Sequence, residues 1–501
     1  MGISASEYHR QTGYDRHEMK GHGLDWANQP GVFKTYPGLK TVPLPQVIDR
    51  PEEKLSFLIR KGSISDAATE VTLETISRIL LLAHSVTAKA RSSGTDFYYR
   101  SVASAGALYP FELYVGAQNV SGLYDGLYHH SIGLQALTLL RSGNIIPALS
   151  YALQTEKTVS PVVSFFLTSI FFRSSWKYRD RAYRYSLLDT GHLAESLTLA
   201  LTAADLPFYL YYDFDDQKTN SLLGVDPSQE ACLAVVCVCG KDISDKGRTN
   251  GLEAASETLP GASRVSAREV DYRLISKIHA ASSSVVECSQ GTPKMLEKLG
   301  LAMEQQEQQF KIDKWPEKVS YAEAVFKRRS KRNFVPTELS FEGLSGLLEL
   351  LCAGCHEEED AGLTSRDAVS VGFLSGNVQD LNPGFYMLDL KSASMTLVSQ
   401  GRMIGKMARI CLDQLWLANC ALHFCFLSNL ELLEQTWGPR GYRYAMLTAG
   451  RLGQRIYLGA TSMGFGCCGI GAFFDDEAAQ ILGVNDQTKL LYLVAAGPVK
   501  R

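Results

Sequence analysis

Arg328-Arg329-Ser330-Lys331-Arg332 places four cations around one hydroxyl. This set suits a phosphate, because guanidinium groups give paired charge-assisted hydrogen bonds while hydroxyl and backbone groups complete the anion's shell. In the other half of the chain, Ala103-Ser104-Ala105-Gly106-Ala107-Leu108-Tyr109-Pro110 is a turn of small residues, a shape that lets backbone approach a flat ring. Taken singly, a solvated helix end and an ordinary turn explain the two stretches equally simply. A third stretch, Met463 to Phe473, carries Gly464, Gly466, Gly469 and Gly471, where a ligand or another backbone can come close. Its G-x-G-x-x-G spacing does not make it a dinucleotide turn. That turn follows a strand and opens a helix, whereas here the preceding run has helical periodicity.

An internal repeat supplies the elements that must position these residues. Tyr183-Arg184-Tyr185 returns as Tyr442-Arg443-Tyr444, and Leu222-Leu223-Gly224-Val225-Asp226 returns as Ile481-Leu482-Gly483-Val484-Asn485, both at an offset of 259 (442 less 183; 483 less 224). Gly191 matches Gly450 in the same register, which marks a tandem duplication. Ser186 to Ala203 and Ala445 to Ser462 have the spacing of amphipathic helices, and Ala231 to Cys239 and Lys489 to Ala496 read as strands. Helices and strands do not alternate regularly, so the pattern predicts an α+β fold. The boundaries read as an extended N-terminal arm over 1–45, a first domain over 46–240, a connector over 241–318 and a second domain over 319–501. Within the connector, Val270 to Ala281 has helical spacing.

Composition narrows the class. With 501 residues, 45% hydrophobic and 21% charged, the chain has the make-up of a multidomain globular protein. A net charge of -3 argues against a general nucleic-acid binder. Met1 to Arg10 lacks an apolar export segment, and no stretch has the length of a membrane span, which predicts a cytoplasmic protein without membrane attachment. The eleven cysteines form no disulfide or zinc framework. Cys352-Ala353-Gly354-Cys355-His356 spells a haem-attachment pattern, but that chemistry needs an exported chain. No metal is expected.

The two repeats differ in chemistry. The first offers only Arg60-Lys61-Gly62-Ser63-Ile64-Ser65 where the second has its basic run, and Val369 to Ser375 is the second-repeat stretch that most resembles the Ser104 to Pro110 turn. Lys177-Tyr178 faces Thr436-Trp437 at the repeat offset. Each half has kept what the other has lost.

These motifs resemble the nitroreductase superfamily of FMN oxidoreductases, and more closely its SagB-type dehydrogenase branch, which oxidises azoline rings during thiazole and oxazole peptide biosynthesis. The resemblance runs through Arg328 to Phe334, the Ser104 to Pro110 turn with Glu112 and Tyr114, Trp176-Lys177-Tyr178 leading into Asp189-Thr190-Gly191-His192, and the Leu24-Asp25-Trp26 to Tyr36-Pro37 arm. It implies two tandem nitroreductase-like domains forming an intramolecular pseudo-dimer. One FMN site would be built from Arg328, Arg329, Ser330 and Arg332 of one half and Ser104, Ala105 and Gly106 of the other, with Gly469, Ile470 and Gly471 approaching the flavin. Lys500 and Arg501 are either a further phosphate contact or a solvated terminus. The mirror-image site, needing Arg60 to Ser65 with Val369 to Ser375, would be dead. Ala103 stands where the family turn usually has proline, which costs rigidity rather than chemistry.

By the same resemblance Lys177 and Tyr178 are the catalytic pair, one of them taking a substrate proton. His192, at the start of the long helical run, and the pair His129-His130 read as structural hydrogen-bonding residues, whereas Arg181 and Arg184 read equally as braces through carboxylates or as ligand contacts. The substrate is a small molecule or a modified peptide. Two other functions stay open: an NAD(P)H-fed nitro or quinone reductase, and a non-catalytic flavin-binding scaffold in a peptide-modifying complex. Further homo-oligomerisation is likewise open.

Overall fold

The computed structural model describes the chain except residues 1, 20, 47–48, 63–69, 93–94, 154–160, 240–250, 286–293, 303–306, 313, 354–364 and 501. Ser63 to Ser65, Gly354 to His356, Arg501 and the start of the connector therefore lie outside the described residues. Packing divides the chain into two compact units. Gly23–Arg50 and Lys61–Val285 form the N-terminal unit; Met1–His22, Pro51–Arg60 and Val286–Arg501 form the C-terminal unit.

In the N-terminal unit the strands are β1 (Thr41–Pro43), β2 (Val86–Ser92), β3 (Thr95–Arg100), β4 (Phe111–Ala117), β5 (Gly126–Ser131), β6 (Ala136–Ser142), β7 (Val163–Ile170), β8 (Phe208–Tyr211) and β9 (Glu230–Val238). β2 and β3 make a separate hairpin, and the others form a sheet in the order β1-β6-β5-β4-β7-β9-β8. The C-terminal unit has β10 (Glu307–Gln309), β11 (Ser370–Ser375), β12 (Gly384–Asp389), β13 (Ser394–Gln400), β14 (Leu422–Asn429), β15 (Gly466–Ile470) and β16 (Thr488–Gly497). Their order, β10-β13-β12-β11-β14-β16-β15, repeats the first sheet strand for strand. Neighbouring strands are antiparallel throughout both sheets. The mixture of antiparallel sheet and helices is the expected α+β class.

Each central strand pair leads into the same helical sequence. β7 runs directly into helix Phe171–Tyr178, a 3-10 turn at Arg179–Arg181 and the long helix Ala182–Ala203. β14 runs likewise into Leu430–Trp437, Gly438–Arg440 and Gly441–Met463. The repeated Leu-Gly-Val motif ends the next short helix in each unit: Gly224 (φ 67°) and Gly483 (φ 69°) take the left-handed cap that glycine adopts without a Cβ penalty.

Several sequence expectations shift. Val369 to Ser375 is no turn, because Ser370–Ser375 is β11, hydrogen-bonded on both sides to β12 and β14 and equivalent to β4 by sheet position. Its small residues imitate the turn, whose own counterpart at the 259-residue offset is 363–369, which includes the 3-10 helix Ser365–Ala368 just before β11. His192 lies ten residues inside a helix that starts at Ala182, not at the helix start. The first residues are not wholly extended: Ala5–Gln11 is a helix capped by Ser4, and its Tyr8 and His9 are buried. His9 Nδ1 lies 3.1 Å from the Tyr442 hydroxyl, and its Nε2 lies 3.3 Å from Asp475. The connector helix is Arg273–Ala281.

A buried ionic cluster pins the arm residues of the N-terminal unit to its sheet. Lys34 Nζ donates to Glu230 and, at 2.7 Å, to the Tyr114 hydroxyl. Glu230 also accepts from Tyr114 (2.8 Å), Thr168 (2.6 Å) and Ser263 (2.8 Å). Burial is the largest single effect and opposes both charges, but the facing ion and the hydrogen bonds around it together outweigh it, so the Lys34 pKa is raised and that of Glu230 lowered. Removing one partner strands the other charge in a dry interior. Lys34→Met should therefore cost about 3–5 kcal/mol in denaturant unfolding, and Lys34→Met/Glu230→Gln should recover much of that loss; additive losses would show that the pair is not coupled.

Candidate functional site

The candidate residues fall into two clusters, one in each unit. In the N-terminal unit the turn before β4 is tied down from below. Ser104 Oγ donates to Asp189 Oδ2 (2.6 Å) and accepts from the Tyr109 N–H (2.9 Å), while the Ala105 N–H reaches both Asp189 oxygens at 3.1 and 3.2 Å. Arg173 holds the far end, donating to the Tyr109 carbonyl (3.1 Å) and to Glu112 (2.6 Å). Burial alone would raise the Glu112 pKa, yet Arg173 and His129 hold it well below the usual range.

Gly106 is at the exposed apex of this turn with φ 63°. A Cβ there would lie 2.6 Å from the Tyr178 hydroxyl and 3.3 Å from Lys177 Nζ. Both catalytic candidates thus bring their head groups to the turn at a point where only glycine leaves room. They end the helix Phe171–Tyr178 and are half-buried. The Tyr178 ring packs edge-on against Tyr185, with centroids 4.5 Å apart. One residue earlier, Trp176 donates to the Asp25 carbonyl (2.9 Å) and meets Trp26 edge-on, so the arm motif braces the helix end that carries the pair.

The weaker candidates lie elsewhere. His129 is buried between Glu112 (2.9 Å) and Ser131 (3.2 Å). His130 faces His84 across 3.0 Å, and burial pushes its pKa down to about 3. Arg181 in the 3-10 turn and Arg184 and His192 in the long helix are all buried.

In the C-terminal unit the basic run follows the helix Tyr321–Lys327, which begins with a capping box of Ser320 and Glu323. The run then lies along the β15 edge like an added strand. The Lys331 N–H donates to the Cys467 carbonyl (2.9 Å), Lys500 N–H to Asn333 (2.9 Å) and Val335 N–H to Pro498 (3.0 Å). Arg328 is buried, with its guanidinium 5.5 Å from the Tyr457 ring centre. Ser330, Lys331 and Arg332 are exposed. Arg332 also approaches Cys468, where it opposes the rise in thiol pKa that burial causes. Arg329 differs from its neighbours, since its Nη1 turns back to the Phe326 carbonyl at 3.1 Å.

The glycines of β15 serve packing first. A Cβ on Gly469 would sit 1.8 Å from the Tyr492 hydroxyl, and the Gly469 N–H donates to the Tyr457 hydroxyl at 2.7 Å. Asp189 and Tyr457, each holding a loop in place, were not assigned these roles from sequence. Both are polar residues inside long helices, where pattern alone cannot tell an outward side chain from one that reaches up to a loop. The basic stretch of the first repeat is taken up in ion pairs: Arg60 pairs with Glu349 (3.1 Å) and stacks on Trp315 within the C-terminal unit, and Lys61 pairs with Asp205 within the N-terminal unit.

The nitroreductase family profile matches residues 66–241 and 381–498, and the chain belongs to the nitroreductase family. Among relatives, a nitroreductase-like protein of Methanocaldococcus jannaschii, MJ1384, is 27% identical over 178 residues, 35% of this chain and 90% of that protein. The microcin B17-processing protein McbC of Escherichia coli is 24% identical over 173 residues, 33% of this chain and 61% of McbC. A crystal structure of a nitroreductase-like protein from Anabaena variabilis matches 99% of this chain and all of its own, with 26% identity and a TM-score of 0.78. The family, with the shared fold, places the chain among oxidoreductases. Among the described residues no helix is long and apolar enough to cross a membrane.

Burial pushes the Asp189 carboxyl up to about 7, against the Ser104 and Ala105 hydrogen bonds. Its folded pKa lies above the unfolded value of roughly 4, so its contribution to stability is fully present below that value and is lost as pH rises through about 7. Asp189→Asn should therefore gain a few degrees of Tm relative to the native protein between pH ~5 and ~8; parallel pH profiles would refute this assignment.

Proposed function

We propose that the chain is an FMN-dependent oxidoreductase of the SagB type, acting on an azoline in a small molecule or modified peptide. The observation that carries this reading is the convergence of Lys177 Nζ and the Tyr178 hydroxyl on the Gly106 apex. The similarity to McbC, a microcin-processing protein, favours a peptide-derived substrate.

The donor sets fit the cofactor. Ser330, Lys331 and Arg332 are exposed beside the buried Arg328, the mix of hydroxyl and cations that a phosphomonoester takes. In this reading Arg328, Ser330 and Arg332 hold the phosphate, with Arg329 in a lesser part because its Nη1 is bonded to backbone. Ser104, Ala105 and Gly106 present backbone to the ring system, and Gly469, Ile470 and Gly471 border it. The complementary losses in the two repeats support one composite site per chain, in a pseudo-dimer of the two domains, with the second site abandoned.

When bound, FMN supplies the hydride acceptor or donor. Oxidising an azoline removes a hydride and a proton, and the chain must supply the base. Tyr178 and Lys177 are the groups placed for it, held by Trp176, Tyr185 and the arm. The partly exposed apex leaves an approach for substrate.

The purified protein should carry one FMN per chain by absorbance and flavin release; a value near two would sink the single-site reading, and colourless protein with no Tm gain on adding FMN would favour a scaffold. Arg328→Ala should weaken FMN binding at least about tenfold, whereas Lys177→Ala should keep flavin and lose about a hundredfold in azoline turnover. Full activity in the latter would remove Lys177 from the mechanism, and rapid bleaching of the flavin by NAD(P)H would favour the reductase suggested by the likeness to MJ1384.

A further inference from the structure

Trp26 is 67% exposed, although an indole is among the side chains that gain most from burial. Its backbone is nevertheless held on both sides. Before it, the Asp25 carbonyl accepts the Trp176 indole N–H at 2.9 Å. After it, the buried Asn28 is clamped by the connector: its side chain donates to the Arg268 carbonyl and accepts from the Arg268 N–H (3.1 Å) and the Ser266 hydroxyl. The 3-10 turn Trp26–Asn28 therefore presents the indole from a fixed base. Two other aromatic side chains are as open, Tyr124 (74%) and Tyr151 (67%), and each has a lysine ammonium beside its ring, Lys40 at 5.4 Å and Lys218 at 3.5 Å. Trp26 instead meets Trp176, with centroids 5.3 Å apart and ring planes at 72°. Trp176 is 7% exposed and shares the last turn of its helix with Lys177 and Tyr178. One buried side chain thus separates an open indole from the turn that carries the catalytic candidates. A ring that packs on this indole does not have to order the arm first, and indoles take flat rings by offset or edge-on stacking.

We infer that Trp26 is a specificity-determining residue: it takes a flat aromatic ring that flanks the reacting azoline in a peptide substrate. That ring is either an aromatic side chain or an azole already formed. This rests on the azoline reading above. An extended peptide covers roughly 3.3 Å per residue, so a residue two or three places from the azoline spans the width of one intervening side chain. Trp26 touches no reacting atom and acts on affinity for the flank.

The test uses the full chain with FMN and three synthetic peptides in which a thiazoline is flanked on each side by three glycines, three phenylalanines or three thiazoles, scored by azole formation. The native protein should show a KM about fivefold lower for a ring-flanked peptide than for the glycine one, the scale of one aromatic contact. Trp26→Ala should bring that ratio close to one, and Trp26→Phe should keep most of it. Whether the phenylalanine or the thiazole peptide carries the preference tells the two ring sources apart. Equal KM for all three peptides with the native protein would overturn the inference without any variant. A preference that Trp26→Ala keeps would overturn it too, and a loss of kcat common to all three peptides with the ratio intact would leave Trp26 only its brace on Trp176. A native protein that holds FMN and oxidises none of the peptides would bring down the azoline reading and this inference with it.

Discussion

Each unit is organised around a helix that is buried on all its faces. Ala182–Ala203 and Gly441–Met463 bury almost every residue they contain, including Asp189, His192, Glu195, Arg443, Arg451 and Gln454. A buried polar side chain must find partners or pay the cost of leaving water unpaired. The helices are thereby committed to hydrogen bonds with whatever lies beside them. Asp189 meets this demand by tying down the Ser104 turn, and Tyr457 by linking Ser330 to Gly469. The Ser104 turn and the Ser330 run are both therefore tied to the long buried helix of their unit, and a site built on such an element is positioned more precisely than one on a loop alone.

The duplication kept the scaffold and let the attachments diverge. Sheet order, the short helix after the central strand, the 3-10 turn and the long helix recur in both units. The loops fastened to them do not. Asp189 has Thr448 at its repeat position and Tyr457 has Thr198, so the side chains that make these two bonds differ between the copies. Arg60 and Lys61 each pair with a carboxylate of their own unit.

How far this was legible in sequence follows from the kind of signal each feature leaves. The repeat register, the long helices and the strands Glu230–Val238 and Thr488–Gly497 announce themselves because burial imposes a period on residue type. The basic run and the small-residue turn are visible because their composition is unusual. β11 resembles a turn in sequence because Ser370, Gly372 and Ser375 are small, although the 259 offset from Phe111 points to Ser370 as a strand residue. The clasp functions of Asp189 and Tyr457 left no such trace, since a hydrogen bond across more than 80 residues has no period.

The chain enters and leaves its C-terminal unit more than once, because residues 1–22 and 51–60 belong there while 23–50 and 61–285 do not. Within this unit the helix Ala5–Gln11 is made long before its partner Tyr442, which lies 433 residues downstream of His9. At translation speeds of roughly 5–20 residues per second that opening helix waits tens of seconds for the surface it covers. The unit carrying the basic run is therefore completed only after both of its distant segments have been made.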